Sequence, residues 1–204
     1  MADFSAKDVQ ELRKATGVGM MDAKKALAEA DGDFDRAGEL LREKGLAASA
    51  KRADREATEG SIGSYLHSQN GRDVTGVLVY LSSETDFVAK SEEFQAMARD
   101  IAMHVAWGKP RYLTREEVPE AELVKEQEII AKQAENEGKP AQVIPKIVEG
   151  RMAKFYEEIV LLDQTFANGE KFDGKVGDMV QQMAVRMGEN ISIASFSRIA
   201  VGES

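Results

Sequence analysis

Apolar residues recur along this chain at two spacings, and the change from one to the other divides it. Over residues 1–45 the period is helical. Val9 and Leu12 form a first stripe after Ser5 and Asp8, which read as a capping box, and Ala15-Thr16-Gly17 closes it. Ala23, Ala26 and Leu27 form a second stripe over 22–30, broken by Asp31-Gly32. Asp33 caps a third, which carries Phe34, Ala37, Leu40 and Leu41 as far as Gly45. A small three-helix bundle is predicted. Between its first two helices, Gly17-Val18-Gly19-Met20-Met21 reads as a tight turn bearing flexible, polarisable side chains. So small a module cannot hide every apolar residue, which leaves the methionines to its core or to a partner.

Residues 46–59 shift to alanine mixed with Lys51, Arg52, Asp54, Arg55 and Glu56, an exposed linker and a domain boundary. Beyond it the pattern becomes strand-like over 60–69 and 72–83, around Asn70-Gly71, whose tolerance of positive φ predicts a hairpin. The run 74–83, rich in Val, Leu and Tyr, reads as a buried strand. Ser91 then caps a helix with Glu92 and Glu93 in its first turn and Phe94, Met97, Ala98, Ile101, Ala102 and Val105 on one face. Gly108 and Pro110 stop it. Thr114 and Glu117 read as a further capping box. Residues 119–161 form an antiparallel helical hairpin, turned by Gly138-Lys139-Pro140, whose second helix starts at Pro145. A last helix over 175–187 precedes an alternating stretch, 191–201, that can join the sheet. The expected fold is α+β: a bundle at 1–45, a linker at 46–59 and a core at 60–204.

One segment does not fit this economy. Residues 85–90, Thr85-Asp86-Phe87-Val88-Ala89-Lys90, lie between the second strand and the next helix and read as a loop. An aromatic beside a carboxylate on such a connection is either a plug for the local core or a knob for a partner.

Composition narrows the chemistry. The 204 residues are 43% hydrophobic and 31% charged, enough for a sizeable core, and none of the apolar runs reaches the roughly 18 residues of a membrane span. The start, Met1-Ala2-Asp3-Phe4, lacks the basic and apolar parts of a leader, so a cytoplasmic protein is expected. Without cysteine there is no disulfide or thiolate site, and two histidines, His67 and His104, make a metal cluster improbable. A net charge of −9 disfavours broad contact with nucleic acid and points to protein partners. Gly169 to Val176 approaches a phosphate-binding loop but has Val176 where a Mg²⁺-binding hydroxyl is required, and Gly17-x-Gly19 lacks the third glycine and a preceding strand. No catalytic constellation emerges.

Together Thr85 to Lys90, the stretch Leu12 to Leu27 with its Gly17-Val18-Gly19-Met20-Met21, and Glu149-Gly150-Arg151-Met152-Ala153-Lys154-Phe155 resemble the bacterial translation elongation factor Ts family, over nearly the whole chain. The resemblance implies a ubiquitin-associated-like (UBA-like) N-terminal bundle and a core that bind elongation factor Tu and release its GDP. No enzyme activity, cofactor, bound nucleotide, nucleic acid or membrane is implied. Phe87 is then the wedge that enters the GTPase near its Mg²⁺ site, Asp86 a polar contact beside it, and Thr85 and Val88 its supports. Leu12, Val18, Gly19, Met20 and Met21 meet the partner's nucleotide-binding domain, and His104, in Met103-His104-Val105-Ala106, offers a second contact.

Longer members of that family carry two core subdomains, whereas this chain has one. The resemblance therefore implies a noncovalent homodimer, two Ts with two Tu. Two other classes stand beside this reading: a binding module resting on residues 1–45 alone, without exchange activity, and a nucleotide-hydrolysing enzyme using Gly174 and Lys175.

Overall fold

The computed structural model describes residues 4–203; Met1-Ala2-Asp3 and Ser204, which the leader reading and the outer domain limits touch, lie outside the described residues. These form eight α-helices and a three-stranded sheet. The first three helices are α1 (Ala6–Thr16), α2 (Met20–Glu29) and α3 (Phe34–Ala50). The capping box at α1 is formed: the Ser5 hydroxyl accepts from the Asp8 amide at 3.3 Å, and the Asp8 carboxylate accepts from the Ser5 amide at 2.6 Å. Gly17, at φ 73°, ends the helix in the left-handed conformation. Val9, Leu12, Ala23, Ala26, Leu27, Ala37 and Leu41 close around one another as the bundle's own core.

Two helix limits differ from expectation. Helix α2 begins at Met20, two residues early, with Gly19 at its N-cap. Methionine is a good helix former, and Asp22 in the first turn suits the helix dipole, so the turn shortens to Gly17-Val18-Gly19. Helix α3 runs through Gly45 to Ala50, taking in part of the expected linker. Gly45 is there for closeness and not as a stop: a Cβ on it would stand 2.5 Å from Val185 Cγ1.

Strands β1 (Glu59–Gln69) and β2 (Arg72–Ser83) form the expected hairpin, with Asn70 at φ 52° and Gly71 at φ 77° in its turn. Between β2 and the last strand come α4 (Asp86–Ala89), α5 (Glu92–Gly108), α6 (Glu120–Asn136), α7 (Ile144–Ile159) and α8 (Val176–Met187). The last strand, β3 (Ser192–Ala200), pairs antiparallel with β2, giving the order β1-β2-β3. The inner face of the sheet, with Val77, Val79, Leu81 and Ile193, packs on Phe94, Met97, Ile101 and Val105 of α5 and on Val176, Val180 and Met183 of α8. Gly63 lets β1 approach α5, since a Cβ there would meet the Ala98 carbonyl oxygen at 2.1 Å.

The expectation that 74–83 is a wholly buried strand is corrected. Burial alternates along β2, and Leu78 points away from the core, beside Ile62 and Leu66 of β1 and Ile199 of β3, all exposed. The apolar run arises because this sheet is apolar on both faces while one face only is covered.

Helices α6 and α7 make the antiparallel hairpin, closed by Ile130, Ala134 and Met152, with Pro145 in the first turn of α7. The capping box expected at Thr114 is absent. A 3₁₀ turn stands there, and the Glu117 carboxylate accepts instead from the Leu113 amide at 2.8 Å.

Candidate partner-binding surface

Phe87 owes its position to a single helical turn. The segment expected as a loop is α4, capped by Thr85, whose hydroxyl accepts from the Val88 amide at 3.3 Å. Successive helical residues point about 100° apart, so a turn that sends Val88 and Ala89 inward must send a neighbour outward. Val88 and Ala89 are buried in the main core, and Phe87 is 84% exposed, the most exposed of the large apolar side chains described. The plugging role is therefore taken by Val88 and Ala89. Asp86 pairs with Lys90 one turn on at 2.5 Å, and that hydrogen bond holds the Asp86 carboxyl below its ordinary range. Both groups are solvated, so the pair adds little stability.

Two carboxylates that the sequence did not single out hold this turn in place. Glu189, in the connection between α8 and β3, accepts from the Glu84 and Thr85 amides, each at 3.1 Å, and from the Thr85 hydroxyl at 2.6 Å. Glu84 accepts in return from the Asn190 amide at 2.6 Å, the bond that chiefly lowers its pKa. The partners are more than a hundred residues apart, and no local signal marks them.

The second group of expected contact residues splits. Met20 and Met21 are 44% and 63% exposed, in the first turn of α2, and Gly19 beside them is exposed. Val18 is half-buried against the bundle core. Leu12 is fully buried in that core, beneath the turn, because it is the central apolar position of α1.

His104 is interior too. Its Nδ1 accepts from the Ala167 amide at 3.1 Å, which puts the ring proton on Nε2, facing Gln164 Oε1 at 2.9 Å. Gln164 in turn donates to the carbonyls of Gly108 at 2.8 Å and Glu158 at 2.9 Å. Burial lowers the His104 pKa, so the ring is a neutral strut. The expected second contact thus falls on a buried ring; Trp107, one turn away, is the exposed aromatic at that end of α5 and meets His67 edge-on at 4.9 Å. The phosphate-loop resemblance is likewise occupied otherwise, for Lys175 pairs with Glu157 at 3.2 Å and lies 3.7 Å from Asp163.

The Phe87 turn and the methionine turn are joined by one side chain. Arg186 of α8 lies against Gly17, where a Cβ would stand 3.0 Å from its Cδ, and its guanidinium pairs with Glu93 in the first turn of α5, just beyond α4. One exposed ring on a pinned turn and two exposed methionines on another thus stand on linked supports. This arrangement suits the capture of a protein surface by apolar anchors.

The family model "Elongation factor TS" matches residues 7–203. A relative named elongation factor Ts from Alkaliphilus oremlandii is 52% identical over 201 residues, covering 98% of this chain and 90% of the relative. Its counterpart in Carboxydothermus hydrogenoformans is 52% identical over 200 residues, with 98% and 90% covered. In Fervidobacterium nodosum the identity is 51% over 201 residues, with 98% of this chain and 100% of the relative covered. Agreement of this extent reaches both turns described above and the whole sheet and hairpin, and by it the chain belongs to the elongation factor Ts family.

Proposed function

We propose that this chain is a guanine nucleotide exchange factor: it binds elongation factor Tu in its GDP form, disturbs the Mg²⁺ and phosphate site, and promotes GDP release so that GTP can enter. The observation that carries the reading is the Phe87 ring, held out in solvent by a turn whose neighbours Val88 and Ala89 are sunk in the core. An exchange factor breaks no covalent bond. It binds the nucleotide-free GTPase more tightly than the GDP form, and linkage obliges it to weaken GDP by the same factor. Burying one Phe contributes about 1.5 to 3 kcal/mol, which moves an equilibrium roughly ten- to a hundredfold if the burial occurs in the open state alone. Phe87 is thus a major contributor and not the sole cause. Moving Mg²⁺ away removes the principal positive charge on the phosphates and accounts for further loss of GDP.

In this reading Met20 and Met21, with Val18 and Gly19 shaping their turn, lie on the partner's nucleotide-binding domain, Thr85 and Val88 support the ring, and Asp86 makes a polar contact beside it. The protein works in the cytoplasm as a homodimer. Four exposed apolar residues on the outer sheet face, Ile62, Leu66, Leu78 and Ile199, support a second copy as the cover of that face. No helix among the described residues is long and apolar enough to cross a membrane. Stopped-flow release of fluorescent GDP from Tu tests the reading. Acceleration by catalytic amounts of this protein is the expected result, and a release rate equal to that of Tu alone overturns it.

A further inference from the structure

We propose that Glu189 is a positioning residue for Phe87: its carboxylate fixes the entry to α4 so that the ring is presented in one orientation before a partner arrives. This rests on the exchange reading above and deepens it. Helix α4 is a single turn of four residues, too short to hold itself, and its inward anchors, Val88 and Ala89, lie at its C-terminal end, which leaves its entry to be fixed by other groups. At its entry β2 has ended, so the amides of Glu84 and Thr85 face no sheet partner. Glu189 Oε2 takes both at 3.1 Å, and Oε1 takes the Thr85 hydroxyl proton at 2.6 Å. With that proton committed, a Thr85 lone pair faces the Val88 amide at 3.3 Å, and the cap is made. Hydrogen bonds to an ionised acceptor are about twice as strong as neutral ones.

Glu189 is itself braced. Its neighbour Asn190 donates its backbone amide to Glu84 Oε1 at 2.6 Å and its side-chain amide to the carbonyls of Ala53 and Arg55 at 3.0 and 2.7 Å. Three separate stretches of chain, 53–55, 84–85 and 189–190, meet in one polar clasp. It lies two residues from the ring and outside the surface formed by the ring itself, so its work is done through Phe87.

The test is fluorescent-GDP release from Tu driven by Glu189→Ala, read as the maximal rate at saturating factor. It is run in the wild-type background and again with Phe87→Ala, with thermal melts as a check on folding. We expect a loss of about tenfold in the wild-type background, shrinking to less than about twofold once Phe87 is gone, because a positioning residue has nothing left to position. Glu189→Gln keeps the acceptor oxygen and can donate to Thr85, so it restores most of the rate. Should the alanine variant not fold, Glu189→Asp, too short by one methylene to span both amides and the hydroxyl, is expected to show the same dependence on Phe87. Equal losses with and without Phe87, or a full rate in Glu189→Ala, overturn the proposal. If the wild-type protein itself does not accelerate release, the exchange reading fails, and that result is separate from any behaviour of Glu189.

Discussion

Phe87 and Phe94 stand seven residues apart with opposite surroundings, one exposed and one fully buried, and they separate binding from stability. Phe87→Ala is expected to slow driven GDP release about tenfold while leaving the melting temperature within roughly a degree or two, because a solvated ring contributes little to the fold. Phe94→Ala, by contrast, should cost about 3 to 5 kcal/mol in urea unfolding through the cavity it leaves. His104 makes a pH prediction. Its folded pKa lies below the ordinary 6.5, so as pH falls through that value the unfolded chain takes up a proton that the folded protein refuses. Stability should decline from about pH 6.5 downward until the folded ring also titrates, and His104→Gln should flatten that slope in chemical unfolding at a series of pH values. At this scale the sequence was partly legible. It marked the aromatic of residues 85–90 as a plug or a knob, but not which of Phe87, Val88 and Ala89 would point inward, because three apolar residues in a row carry no period. Glu189 was hidden, since a hydrogen bond across more than a hundred residues leaves no spacing to read.

Elements were more legible than their ends. Helical and alternating periods, the Asn70-Gly71 turn and the Gly-Pro punctuation marked the bundle, the sheet and the α6–α7 hairpin, because each is a local rule. The failures came where tertiary contact overrode such a rule. Gly45 reads as a helix stop, yet α3 continues through it because glycine there admits Val185 of α8. Gly63 is the same kind of residue in a strand. Gly63→Ala is expected to push β1 off α5 against the Ala98 carbonyl, which is backbone and cannot turn aside. A loss of about 1 to 3 kcal/mol in equilibrium unfolding is the expected result, and an unchanged midpoint would show that the strand and helix can separate freely.

For the molecule as a whole, one sheet packs on α5 and α8 with its inner face and displays Ile62, Leu66, Leu78 and Ile199 on the other. The continuous apolar run of β2 expressed both faces at once, and sequence alone could not say which face the chain would cover with its own helices. If a second copy covers the outer face, Leu78→Glu sets a charge in the middle of the interface and should turn a dimer into a monomer by light scattering at micromolar concentration. A wild-type protein that is already monomeric there would remove the homodimer from the account. The central claim is that Phe87 is buried only when Tu has lost its nucleotide. It is tested most directly by calorimetric affinities of wild type and Phe87→Ala for nucleotide-free Tu and for Tu bound to GDP. The account predicts that the variant binds nucleotide-free Tu about ten- to a hundredfold more weakly and the GDP form nearly as well as wild type. An equal loss for both forms, or none for either, would contradict it.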